Sequence, residues 1–517
     1  MDTTAATRAG RRQWLGLAVL ALPTLLVSID VFVMLLALPQ LSLDLHASSS
    51  QQLWIMDSYG FLLSGFMITM GTLGDRIGRR RLLLLGATGF GAASVLAAFA
   101  PSPGLLIAAR MALGVAGATL APSTLALISD MFRDGRQRAL AIGIWFGCFM
   151  GGAVIGPVVG GVMLTHFWWG SVFLLGVPAM VLLLVLGPVL LPAASGSGGG
   201  RLDLTSVALS LGAILPVVYG IKEMARAGVH PVPVGAVVLG LAVGVAFVRR
   251  QRALAGPLLD LRLFANGAFR TALGGMLFGT MLMGAIMLFI TQYLELVGGF
   301  DPLRAGFCML PAVGCATVSF LTAPLVARRV RPARLIGTGL AVSVGGLLLL
   351  TQVDAQSGVT PLIVGFALIN LGAGPLVTLS TDLIVGSAPP ERAGSAAAMG
   401  ETSGELGFAL GIAALGSIGT ANYRAELAGT LPAGAPPAAA DTLAGATTAA
   451  AALPEPLAGA VLGAARAAFT SGFHTVALIS AVLLAGVAVI TVRRLRHVPA
   501  TAEVPANEPE PEPAAVG

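Results

Sequence analysis

The chain has 517 residues, 56% of them hydrophobic and only 10% charged, with a mean hydropathy of +0.89. A soluble domain carries about a quarter charged residues, so a globule with its own polar coat is excluded and lipid must cover most of the surface. The net charge is +6 and the pI about 9.9; in a soluble chain that would suggest nucleic acid, but here the placement of the cations argues against it.

A helix crosses the bilayer core with about 20 apolar residues. On that criterion spans are expected near 14–38, 52–73, 82–100, 104–128, 139–163, 168–192, 203–221, 231–248, 268–292, 302–326, 333–352, 359–381, 394–419 and 470–492, fourteen in all. With the N-terminus in the cytoplasm, the inner loops hold Arg8, Arg11 and Arg12, then Arg76, Arg79, Arg80 and Arg81, then Arg133, Arg136 and Arg138. Further inner loops carry Arg201, the group Arg249, Arg250, Arg252 and Arg262, and the group Arg328, Arg329, Arg331 and Arg334. Arg392 and the closing Arg493, Arg494 and Arg496 complete the set. The outer loops hold only Lys222, Arg226, Arg304, Arg424 and Arg466. This imbalance is the positive-inside rule. One missed or invented span would invert it downstream, so the alternation supports fourteen spans and places both termini in the cytoplasm of a multi-pass inner-membrane protein. The arginines mark topology, and no nucleic-acid partner is expected.

The first apolar run is long and no small-residue cleavage site follows it, so no cleavable leader is expected. Residues 1–13 read as a cytoplasmic N-terminus and 14–192 as a six-helix bundle. The stretch 193–200, with Ser195, Ser197 and three glycines, reads as a linker opening a segment, 193–265, that carries two additional spans. Residues 266–495 read as a second six-helix bundle. Its outer loop, 420–468, is rich in Ala, Pro and Gly, and a short helix is expected there near 455–468. The Pro/Glu/Ala-rich tail, 496–517, reads as disordered. A weak internal repeat supports the division: GTLGDRIGRRR (71–81) and APLVARRVRPAR (323–334) both leave an even-numbered span and turn back with clustered arginines. Repeats of this kind mark secondary transporters.

Cys148, Cys308 and Cys315 all fall inside apolar runs and lack a spacing pattern, so neither a disulfide framework nor a zinc site is expected. His46, His166, His230, His474 and His497 lie in loops or at helix ends and form no ligand pair within a span. A metal centre, a cofactor and an intramembrane enzyme are therefore not expected.

Four motifs stand out. The loop after the second span reads Gly71-Thr72-Leu73-Gly74-Asp75-Arg76-Ile77-Gly78-Arg79-Arg80. The fourth span carries Arg110 followed by Gly114 and Gly117. The fifth carries Gly147, Gly151, Gly152, Gly156-Pro157 and Gly160-Gly161, and the first carries Asp30 with Ala37-Leu38-Pro39. Together they resemble the major facilitator superfamily, and within it the fourteen-span drug:proton antiporters. The resemblance implies two six-helix bundles plus two central helices, with protons as the coupling ion. The fifth-helix motif implies export. Trp54-Ile55-Met56-Asp57-Ser58-Tyr59 and the pair Glu401 and Glu405 resemble exporters of antiseptics and quaternary ammonium compounds. Phe32, Leu35 and Gly400 depart from the pattern of many relatives.

The chemistry of these residues fits that implication. An ionisable group in a span costs about 2.5–3.5 kcal/mol on insertion scales, so Asp30, Asp57, Arg110, Glu401 and Glu405 should face a cavity or a partner. Asp30 reads as a proton carrier; its alternative is a packing hydrogen bond. Asp57, nearer the outer end, reads as a recruiter of cations aided by the rings of Trp54 and Tyr59; its alternative is a solvated carboxylate. Glu401 and Glu405 share a helix face, and two carboxylates there repel when both are ionised. Their alternative is polar packing at the bundle interface. Arg110 is implied in proton relay, or it anchors to carbonyls of a neighbouring helix. Asp75 and the arginines from Arg76 to Arg81 are implied as a gating latch in which Asp75 meets a helix N-terminus of the opposite bundle; a plain topogenic cluster is the alternative. Gly147, Gly151, Gly152, Gly156, Gly160 and Gly161 form a small face that permits close packing, Pro157 bends the helix, and the face reads as the seam sealing the pathway in one state; packing alone is the alternative. The expected partners are lipophilic cations and lipid, acting on a monomer. Two rivals are weighed: export of a neutral or anionic metabolite on the same fold, and a membrane enzyme or receptor, which would need a catalytic constellation the sequence does not offer.

Overall fold

A computed structural model of the chain describes residues 9–47, 49–193, 203–227, 230–254, 257, 259–300, 302–354, 358–432, 435–436 and 438–499. Of the expectations above, those for 1–8, for the linker 194–202 and for the tail 500–517 lie outside these residues, as do the side chains of Asp57, Pro157, Phe32 and Leu35.

Each apolar run forms a helix: α1 (Arg11–Asp44), α2 (Ser49–Ile77), α3 (Arg79–Ala98), α4 (Pro103–Met131), α5 (Gly135–His166), α6 (Ser171–Leu174), α7 (Gly176–Leu190), α8 (Leu204–Ala227) and α9 (Pro231–Ala253). Then follow α10 (Gly267–Gln292), α11 (Pro302–Val326), α12 (Pro332–Leu350), α13 (Thr360–Gly386), α14 (Ala393–Thr430), α15 (Ala438–Asp441), α16 (Leu443–Ala450) and α17 (Glu455–Leu495). Twelve helical stretches among the described residues are long and apolar enough to cross a membrane. Helices α2 and α5, of 29 and 32 residues, are two further long helices beside the twelve, against the fourteen spans expected.

Local chemistry sets the helix ends. Ser102 accepts a hydrogen bond from the Leu105 nitrogen and Pro103 opens α4, a start that uses an orphan donor and needs none at proline. Asp134 caps α5 through the Arg136 nitrogen at 3.0 Å. Gly78 joins α2 to α3 with φ +100°, a left-handed conformation that a side chain would strain. This explains a glycine between two helices in an arginine-rich turn.

Helices α1 to α7 pack around one apolar core containing Leu20, Met34, Leu83, Leu113 and Phe132. Helices α10 to α17 surround a second, containing Ile286, Phe289, Leu347, Phe366 and Phe473. Helices α8 and α9 pair with each other, and α8 lies on both α2 and α14, at the junction of the bundles. The outward residues Val232, Val238, Leu239, Leu241 and Val245 of α9 are exposed, as expected for a lipid-facing helix. A third small core, with Ile68, Phe247, Leu263, Phe269 and Met399, joins α2, α9, α10 and α14.

The segment 420–468 is largely helical. Helix α14 runs on to Thr430, α15 and α16 follow, and α17 is one rod from Glu455. Leu443, Ala446, Val461 and Ala465 are buried, and the Tyr423 hydroxyl donates to the Ala439 carbonyl at 2.9 Å. Alanine-rich sequence here supplies helix and close packing, so the segment caps the second bundle.

Candidate functional site

Among the described residues the most deeply buried charge is Arg110, 2% exposed on α4. Its Nη1 lies 2.7 Å from Asp30 Oδ2 of α1. Its Nε donates to the Ile55 carbonyl of α2 at 3.1 Å. Its guanidinium sits over the Tyr59 ring, 4.7 Å from the centroid. Arg110 thus pairs with a carboxylate through Nη1 and with a carbonyl of a neighbouring helix through Nε. Removing either member of such a pair leaves an uncompensated buried charge, a loss of about 3–5 kcal/mol.

The same contact alters the place of Tyr59. It is 4% exposed and the cation on its ring is Arg110, whereas Trp54 is 43% exposed. Of the two rings expected to meet a solute, only Trp54 is open on this side of α2. The Asp57 side chain lies outside the described residues.

In the second bundle Glu401 and Glu405 lie one turn apart on α14, Glu405 exposed and Glu401 half-buried. They act on each other electrostatically, and Glu405 is also within electrostatic range of Tyr59. Asp30, Arg110 and Tyr59 are in contact within the first bundle, and Glu401 and Glu405 lie on α14 of the second.

At the arginine-rich face the bundles are clasped. Asp75, at the end of α2, accepts hydrogen bonds from the backbone nitrogens of Gly394 at 3.1 Å and Ser395 at 2.9 Å. These are the free donors in the first turn of α14, where the helix dipole favours an anion. Arg79 pairs with Asp75 at 3.0 Å and with Asp130 of α4 at 2.6 Å. Gly71 permits the approach: a Cβ there would stand 2.6 Å from the Gly394 carbonyl. Arg80 instead donates to the Pro188 and Leu191 carbonyls, each at 3.1 Å, and so terminates α7. A second bridge, Arg138 Nε to Asp382 Oδ1 at 2.6 Å, joins α5 to α13.

Helix α5 shows where this contact ends. Gly143 packs directly on the Phe320 carbonyl of α11, and at Gly147 the nearest α11 atom would be 3.7 Å from a Cβ. At Gly151, one turn on, nothing lies within 4 Å. Gly152 and Gly160 face the other way, onto Leu25, Ser28 and Val33 of α1, while Gly161 is open. Of the motif glycines, Gly152 and Gly160 thus serve α1 within the bundle, whereas Gly147, with Gly143 before it, faces α11 across the bundles. Along α5 the packing on α11 is tight at Gly143, looser at Gly147 and absent at Gly151.

The sequence model of the Major Facilitator Superfamily matches residues 20–412. The chain belongs to this superfamily. It is 43% identical over 495 residues to the "Multidrug efflux pump LfrA" of Mycolicibacterium smegmatis, covering 95% of this chain and 98% of that protein. It is 36% identical to the "Methyl viologen resistance protein SmvA" of Salmonella typhimurium, over 91% of this chain and 95% of that one. Among solved structures, a bacterial homologue of the human lysosomal transporter Spinster superposes with a TM-score of 0.58 at 17% identity, over 94% of this chain and 98% of the other; that likeness speaks to fold alone.

Within this superfamily member, sequence reasoning missed several charged residues. Asp130 and the Arg138–Asp382 pair were visible only as charges near helix ends. Arg392, just before α14, pairs with Asp260 of the 3-10 turn Leu261–Ala265. Asp203 pairs with Arg250 at 2.8 Å, and Gln251 donates to Ser206 at 2.8 Å, fastening α8 to α9. Partners distant in sequence leave no local spacing signal. Among the described residues no group of His, Cys, Asp and Glu is arranged to hold a metal ion.

Proposed function

We propose that this protein exports lipophilic, cationic small molecules in exchange for protons across the cytoplasmic membrane. Its arginine-rich face and both termini are cytoplasmic, and the monomer suffices. The observation that supports the reading is a buried Asp30–Arg110 pair in the first bundle together with two carboxylates, Glu401 and Glu405, one turn apart on α14 of the second. A carboxylic acid in low dielectric holds its proton until a positive charge replaces it. The relatives support the substrate class: LfrA is a multidrug efflux pump, and SmvA is a resistance protein for methyl viologen, itself an organic cation.

Asp30 and Glu405 exchange protons for the cation, with Glu401 raising the cost of ionising Glu405. Arg110 answers the charge on Asp30 and becomes free when Asp30 is protonated. Trp54 and Asp57 receive the cation at the outer end of α2. The clasp of Asp75, Arg79 and the first turn of α14, reinforced by Arg138 and Asp382, seals the cytoplasmic side, and its release opens the pathway inward. The small residues of α5 let the bundles rock without side chains intervening. Protons are the only coupling species, with no cofactor.

The test is transport in proteoliposomes. An inward proton gradient should drive accumulation or efflux of an ethidium-type dye, and an uncoupler should abolish it. Unaltered transport after collapse of both the pH gradient and the membrane potential would eliminate proton coupling.

A further inference from the structure

The two arginine turns of the internal repeat are built differently. In the first bundle Arg79 is held by Asp75 and Asp130, and Arg80 by the Pro188 and Leu191 carbonyls. The matching turn of the second bundle, between α11 and α12, carries Arg328, Arg329, Arg331 and Arg334, and no acidic residue occurs from 322 to 338. Arg329 and Arg334 are exposed, and their side chains make no hydrogen bond or ion pair among the described residues. The Arg328 Nε is buried and meets no acceptor among those residues. Buried donors are almost always satisfied, so this one is placed for an acceptor from outside the chain.

A second basic stretch reaches the same corner. The last turns of α17 pack on the first turns of α12: a Cβ on Gly337 would stand 2.5 Å from Val492 Cγ2, and Leu495 shares the second core with Ala327, Ala333 and Ile336. Arg493 and Arg494 are exposed beside Val492, and Arg496 donates to His497 at 3.0 Å. No acidic residue occurs from 486 to 498. The corner therefore gathers seven arginines, four from the turn and three from α17, with no carboxylate in either segment. Apolar side chains adjoin them: Leu325 and Val326 at the end of α11 are each 42% exposed, and Val489 and Ile490 of α17 are 50% and 58% exposed. A free phosphate would use the arginines alone, whereas a molecule with an anionic head and acyl chains uses both surfaces.

We infer that this corner of α11, α12 and α17 binds the headgroup of an anionic phospholipid, whose acyl chains lie on the exposed apolar residues beside it. The inference is independent of proton exchange and of the exported molecule. A phosphate oxygen supplies the acceptor that Arg328 Nε lacks, and the planar guanidinium groups around it match phosphate geometry. Each arginine near an anionic headgroup strengthens binding about fivefold. The sequence beyond 499 holds Glu503, Glu508, Glu510 and Glu512, a rival source of negative charge, but four acids against seven arginines leave the corner positive.

The experiment titrates dioleoyl phosphatidylglycerol into the purified full chain in dodecyl maltoside and counts bound lipid by native mass spectrometry. The wild-type protein should bind it in preference to dioleoyl phosphatidylcholine. Arg328→Gln, Arg329→Gln and Arg494→Gln together should weaken phosphatidylglycerol binding about a hundredfold. Removing as many charges elsewhere, by Arg11→Gln, Arg249→Gln and Arg252→Gln, should leave it within about twofold. Equal losses in the two triple variants would overturn the site, because attraction to net charge alone behaves that way. Displacement of the lipid by millimolar glycerol phosphate would assign the corner to free phosphate and overturn the lipid. Binding that appears only after residues 500–517 are removed would place the chain's own glutamates there, with the same consequence. If the corner variant does not insert, Arg328→Gln alone should lower affinity about fivefold, and an unchanged affinity would overturn the proposal.

Discussion

Asp75 of the first bundle accepts a hydrogen bond from the backbone nitrogen of Ser395 in the second, at 2.9 Å. The partner is a helix terminus and not a side chain. Carboxylate and terminus attract by about 0.3–2 kcal/mol, enough to bias two conformations and weak enough to be broken in each cycle. Asp75→Asn removes the charge and the pairing with Arg79. Its expected effect is a shift of roughly twofold to thirtyfold toward the state open at the arginine-rich face. Cysteine labelling from that side should rise, with transport falling in parallel.

The Arg138–Asp382 pair bridges the bundles with side chains that are 21% and 19% exposed. Neutralising one member strands the other charge. Arg138→Gln and Asp382→Asn should each lower dye efflux about tenfold. The exchanged pair Arg138→Asp with Asp382→Arg should restore most of it. Failure of the exchange, with both proteins correctly inserted, would mean that the ion pair is not what joins α5 to α13.

Steric contrast along α5 gives a third prediction. Gly143 lies on the Phe320 carbonyl, whereas Gly151 has open space. Gly143→Ala should therefore hold the bundles apart at the arginine-rich end and reduce transport severalfold. Gly151→Ala should transport within about twofold of wild type. Efflux assays on the two alanines in parallel check this.

The anchor of the extra helix pair responds to pH. Hydrogen bonds from Ser206 and Arg250, with the Arg250 charge, hold the Asp203 carboxyl below its ordinary value of 3.8. A depressed value means the contribution to stability is complete above 3.8 and disappears as pH falls through the lower folded value. Asp203→Asn should lower the thermal midpoint at pH 7. The gap to wild type should close only in acid below that window. Melting curves from pH 7 to pH 3 measure it.

Much of the architecture was legible in the sequence because lipid imposes a simple rule: each crossing needs a long apolar run, and the arginines sort to one side. The clasp residue Asp75 was legible as well, through its glycine-spaced turn. The central pair was legible only in halves. Asp30 and Arg110 each stood out as charges at lipid depth, but 80 residues separate them and nothing local joins them. Tyr59 read as a platform for a solute because aromatic rings near an outer helix end so often are, and its cover by Arg110 depends on how α2 rotates against α4. The helical cap over 420–468 was obscured by composition, since Ala, Pro and Gly suit a loop as readily as a tightly packed helix.

The most direct measurement of the exchange is the affinity of the purified protein for an ethidium-type cation from pH 5 to pH 9. If binding displaces a proton from Asp30 or Glu405, affinity must rise with pH across the titration, about tenfold per pH unit for each proton released. The slope should flatten in Asp30→Asn and Glu405→Gln. An affinity that is flat over the whole range in the wild-type protein would contradict the account.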